Sequence, residues 1–113
     1  MNDTVSFYQV RDCVREWFSR TLSTHGARMD VQIADDQAKY FRAIMCTMHY
    51  IAELIISDDS DFAPYRWISL QVLRLNDTNS NEPIFYYSDT HQDTTDDIIA
   101  RLNQGLQLLL QDN

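Results

Sequence analysis

The stretch KYFRAIMCTMHYIAELIIS, residues 39–57, decides the fold, because it reads at two different periods. At the helical period Phe41, Ile44, Met45, Met48, Ile51, Ala52 and Ile55 make an apolar stripe. At period two it breaks into two strands, 39–47 (KYFRAIMCT) and 50–57 (YIAELIIS), turning at Met48 and His49. Neither end carries a strong helix cap, and the β-branched and aromatic content suits a pleated surface. The residues favour the strand pair, with one helix left as the alternative.

Upstream, residues 28–34 alternate: Met29, Val31 and Ile33 point one way, Arg28, Asp30 and Gln32 the other. That is the pattern of a half-buried strand, and Asp35-Asp36 marks the turn after it. Before it, residues 6–22 space Phe7, Val10, Val14, Trp17, Phe18 and Leu22 at three and four, as a helix requires. Ser6 with Gln9 fits a capping box, with Asp3 and Thr4 as rival caps. Thr24-His25-Gly26 ends the helix, Gly26 being able to supply a left-handed residue.

Downstream, Asp58, Asp59, Ser60 and Asp61 run into Ala63-Pro64 and read as a loop. Residues 66–75 form a strand with Ile68, Leu70 and Val72 inward and Trp67, Ser69 and Gln71 opposite. The turn chemistry of NDTNSNEP at 76–83 precedes a short aromatic strand, IFYYS at 84–88. A last helix over 95–110 is capped by Thr94 or Asp93 and carries Ile98, Ile99, Leu102, Leu106, Leu109 and Leu110 on one face. Gly105 weakens that helix and invites close packing. The expectation is one α+β domain over 1–113: an antiparallel meander of five strands, flanked and covered on one face by N-terminal and C-terminal helices.

Charge narrows the function. Acids outnumber bases 17 to 9, Lys39 is the only lysine, and the net charge of −8 sits on a chain that is 44% hydrophobic. Such a surface repels nucleic acid and anionic membranes and attracts basic proteins. No signal peptide or membrane span is legible, so a cytoplasmic monomer is expected. Cys13 and Cys46 read as buried free thiols. His25, His49 and His91 stand in no ligand motif, and Cys46 with His49 reads as core and turn, not as a thiolate pair. The acidic loop lacks the spacing of a calcium loop. The expectation is no catalytic residue, no metal and no cofactor. The candidate binding residues are Asp58, Asp59 and Asp61 beside Phe62, Tyr65 and Trp67, then Asp35 and Asp36, with Tyr87 on the outward face of the final strands.

The segments YIAELIISDD (50–59), ISLQVLRL (68–75), PIFYYSDT (83–90) and DTTDDI (93–98) resemble small bacterial immunity proteins of the TriTu type, linked to polymorphic and contact-dependent toxins. The resemblance spans about two thirds of the chain and rests on structural patterns, with no catalytic residue to carry over. Where such proteins close the third strand with a tryptophan and a glycine, this chain has Ile56-Ser57 and an acidic loop extending to Tyr65. The resemblance implies a leading helix, a curved antiparallel sheet and a closing helix. It also implies stoichiometric occlusion of a cognate toxin domain, in many cases a basic nuclease or tRNA-acting enzyme. An acidic secretion-type chaperone, a small enzyme or ligand-binding domain, and a mimic of DNA charge are the rival readings.

Overall fold

The computed structural model describes residues 6–58, 67–75, 82–90 and 92–111. Helix α1, Phe7–His25, begins at Ser6, whose Oγ accepts the Gln9 N–H at 3.2 Å while Gln9 Oε1 accepts the Ser6 N–H at 2.8 Å. This is the reciprocal cap expected from the sequence. The helix does not stop on a left-handed glycine. Gly26 is right-handed (φ −59°, ψ −27°) and continues into a 3-10 turn, Gly26–Arg28.

Residues 39–57 are two strands. The sheet runs β1 (Asp30–Gln37), β2 (Tyr40–Cys46), β3 (Tyr50–Ser57), β4 (Ile68–Arg74) and β5 (Phe85–Ser88), every neighbour antiparallel and in sequence order. Helix α2, Thr95–Leu109, closes the chain behind a second capping box between Thr94 and Asp97. The helix alternative fails because residues 41–56 bury strictly alternate side chains on either side of the turn. Phe41, Ala43 and Met45 pair across the strands with Ile56, Leu54 and Ala52, all on the face that the helices cover.

Asp35-Asp36 is not a turn. A bulge between Ile33 and Asp35 carries β1 onward to Gln37, and the chain reverses at Ala38-Lys39. The extra residue also flips the alternation. Ile33 pairs with Ala43 on the helix side, Asp35 pairs with Arg42 on the opposite side, and Asp36 pairs with Phe41 on the helix side again. Ile33 lies at the edge strand, where it remains 50% exposed.

Both helices pack on the same face. Phe7, Val10, Val14, Trp17 and Phe18 from α1 join Ile98, Leu102, Leu106 and Leu109 from α2 over the apolar rows of β2, β3 and β4. Phe18 meets Phe41 edge-on at 5.4 Å between ring centres, and Trp17 Nε1 donates to Asn103 Oδ1 at 2.8 Å, tying the helices together. Thr47 Oγ1 donates to Leu109 O at 3.1 Å, so the β2–β3 turn caps the end of α2. Gly105 lies against the sheet so closely that a Cβ there would come 2.7 Å from Leu70 Cδ2 and 2.9 Å from Phe85 Cε2.

Candidate protein-binding end of the sheet

The meander brings the ends of β1, β3 and β5 together with the starts of β2 and β4. The Asp58 N–H donates to Lys39 O at 3.1 Å, so the end of β3 adjoins the β1–β2 turn. The first half of α1 lies over the same end: Arg11 Nη1 donates to Ala38 O at 2.9 Å, and Phe7 meets Trp67 edge-on at 5.8 Å. The first turn of α2 belongs here too, through Tyr87 Oη, which donates to Asp93 Oδ2 at 2.7 Å. The register brings Asp35, Asp36 and Asp58 to this end of the sheet.

The acids there are not equivalent. Asp36 accepts from Arg15 Nη2 at 2.6 Å, and the same guanidinium lies 4.9 Å from the centre of the Phe41 ring. Asp12 holds Arg11 at 2.8 Å. The Arg15–Asp36 pair, with Arg11 Nη1 on Ala38 O, ties the β1–β2 hairpin to α1, and both carboxylates have a cation beside them. Asp35 faces away from the helices, across from Arg42, and accepts a 3.3 Å hydrogen bond from Gln37 Nε2, while Asp58 is exposed. Asp96 and Asp97 add exposed charge at the N-terminus of α2, where the macrodipole favours it. The Thr94 N–H holds the Asp97 carboxyl below the usual carboxylate range, assisted by the Thr94 hydroxyl. The opposite end of the sheet carries His25, Arg28, Asp30, His49 and Arg74.

Two aromatic expectations need correction. Tyr87 does not face outward. It is 7% exposed, pairs with Leu70 on the helix side, and its phenol is pushed well above the ordinary tyrosine range, first by burial and then by its hydrogen bond to Asp93. Its neighbour Tyr86 is the outward residue, at 49% exposure. Trp67 does not stand opposite Ile68 on a free surface either. It is half-buried against Phe7, and its N–H donates to Asp89 Oδ1 at 2.8 Å. Asp59, Asp61, Phe62 and Tyr65 lie outside the described residues.

Sequence reasoning missed Asp89. Its carboxylate is 1% exposed and accepts the N–H groups of both Trp67 and Ile68 at 2.8 Å, fixing where β4 begins. It also missed a polar bridge on the face away from the helices, where Arg42 Nε donates to Glu53 Oε2 at 2.6 Å and Gln71 Nε2 to Glu53 Oε1 at 3.3 Å.

Cys13 and Cys46 are free thiols, half-buried where full burial was expected. Burial raises the Cys13 thiol, with Glu16 next in effect, which keeps it protonated. The space between Trp17, Met45, Leu70 and Gly105 does not admit a water molecule. An open groove at the far end is lined by Arg28, Met29, Asp30, Cys46 and Met48, without His49. Among the described residues no group of three or more His, Cys, Asp or Glu side chains could hold a metal ion, and no helix is long and apolar enough to cross a membrane. Comparison of the chain with protein-family models, with curated proteins and with solved structures finds no match.

Proposed function

We propose that this protein is a non-catalytic inhibitor that neutralises a basic toxin domain by stoichiometric occlusion, in the manner of a bacterial immunity protein. The observation that carries the reading is the charged end of the sheet, where Asp35 and Asp58 stand with no ion-pair partner among the described residues. Carboxylates outside ion pairs project part of their field into solvent and steer an oppositely charged protein, raising its association rate more than its final affinity. The helix–sheet–helix layout implied by the immunity-protein resemblance is compatible with this use.

The experiment is stopped-flow association with a candidate toxin domain taken from the product of the neighbouring upstream gene. The variant carries Asp35→Lys and Asp58→Lys and spares Asp36, whose loss would release the hairpin from Arg15. The expected result is an association rate lower by about tenfold or more at low salt, shrinking as salt screens the field. Unchanged rates would remove this end from the encounter surface. Failure of the unaltered chain to form any complex would end the toxin reading.

A further inference from the structure

Among the described residues no helix or strand covers the face of the sheet away from the helices. Ser57 and Ser69 at its near end are buried, and beyond them the register arranges half-buried apolar side chains into a contiguous row. Cys46, Ile51 and Leu73 lie side by side across β2, β3 and β4, with Ile44 in the next row and Tyr86 at that row's end, beyond Glu53 and Gln71. A water-facing sheet surface ordinarily presents polar residues at such positions. An apolar centre within a polar border, with an exposed tyrosine, is how protein contact surfaces are built.

The charges on this face select the occupant. Arg42 is its only cation among the described residues; it pairs with Glu53 at 2.6 Å and also feels the charge of Asp35 across the strands, so one cation faces Asp30, Asp35 and Glu53. Asp30 closes the Cys46 row and Asp35 the Arg42 row, both on β1 and neither in an ion pair. The uncompensated charge is therefore negative. A second copy, itself carrying −8, would be repelled. We propose that the open sheet face is a docking surface for a basic protein, which sets an apolar patch on Ile44, Ile51, Leu73 and Tyr86 and directs arginine or lysine side chains to Asp30 and Asp35. This rests on the basic-partner reading above and adds the surface that such a partner buries.

The probe is a synthetic β-hairpin peptide with leucines at its centre and arginines at its rim, titrated into the ¹⁵N-labelled full chain. A peptide of the same design with glutamate for arginine serves as control. Saturable shifts at the amides of Ile44, Ile51, Leu73 and Tyr86 with the arginine peptide alone are expected. Ile51→Gln with Leu73→Gln should weaken binding about tenfold or more, and Tyr8→Ala, on the outer side of α1, should leave it unchanged. Single Ile51→Gln is the fallback where the double variant does not fold. Shifts clustered elsewhere, equal binding of both peptides, no binding, or concentration-dependent shifts of the same amides without peptide would each overturn the proposal. The toxin reading fails separately: a toxin domain that does not bind, while the peptide maps to this face, removes the toxin and keeps the surface. A toxin domain bound equally by the Ile51→Gln chain removes the surface and keeps the toxin.

Discussion

The two faces of the sheet are made from alternate residues of the same strands, yet they have different tasks. On β3, Ala52, Leu54 and Ile56 are buried under the helices, while Ile51, Glu53 and Ile55 between them are only half-buried. The covered face is apolar across β2, β3 and β4, and its shape is fixed tightly enough to bring Gly105 into contact with Leu70 and Phe85. The open face mixes isoleucines with an Arg42–Glu53–Gln71 bridge. Hydrophobic burial against helices supplies stability in proportion to the area hidden from water. A half-buried face hides less area and is expected to contribute less to folding; it is the face proposed above for a partner.

Adjacent residues give the sharpest test of this difference. Leu54 is 0% exposed on the covered face, and its truncation to alanine is expected to cost about 2–5 kcal/mol, as cavity-forming changes do. Ile55→Ala, one residue on, should cost about 1 kcal/mol or less. Urea unfolding midpoints of the two variants measure the gap directly. Equal losses would mean that the open face also holds the fold together, and would weaken its claim as a docking surface.

The two glycines extend the comparison to packing distance. Alanine at Gly105 gains about 1 kcal/mol of helix propensity, but its methyl would sit 2.7 Å from a Leu70 side chain that is itself 1% exposed. Overpacking of that kind costs about 1–3 kcal/mol, so a net loss of about 1 kcal/mol is expected. Gly26→Ala should go the other way. The backbone there is right-handed and nothing lies within 4 Å of the added carbon, so a gain of about 0.5 kcal/mol is expected from the stiffer unfolded chain. Thermal midpoints moving in opposite directions would bear this out. A stabilised Gly105→Ala chain would show that α2 can lift from the sheet without loss.

What was legible in the sequence follows the same division. The strands of 39–57 could be read because neither end carries a strong helix cap and the β-branched and aromatic content suits a pleated surface, although apolar residues on both faces kept the helical period open. Asp35-Asp36 was misread because two acids in a row signal a turn locally, whereas the bulge and Arg15, from a helix 21 residues away, make them part of an edge strand. Tyr87 was misplaced for a related reason. Phe85, Tyr86 and Tyr87 are all aromatic, so alternation carries no polar mark, and only the pairing of Leu70 with Tyr87 reveals which ring is covered. Asp89 reads as one more turn residue until the N–H groups of Trp67 and Ile68 are found on it. The open-face row of Cys46, Ile51 and Leu73 exists only through the register of three strands.

The neighbouring tyrosines carry the comparison to its smallest effect. Tyr87 is covered and hydrogen-bonded to Asp93, and Tyr86 is on the open face. Losing the Tyr87 hydroxyl should cost about 1 kcal/mol at neutral pH, the usual net worth of one hydrogen bond. Its titration adds a dependence at high pH. The folded phenol ionises above the ordinary value of 10.0, so the unfolded chain gives up that proton first as pH rises. The stability tied to the neutral phenol is therefore whole below pH 10 and falls as pH climbs beyond it. Absorbance titration should show a tyrosine component that ionises late and coincides with loss of structure. Tyr87→Phe should remove that component, and Tyr86→Phe should leave it in place. The reverse assignment would place Tyr86 under the helices and exchange the faces of β5 at this position.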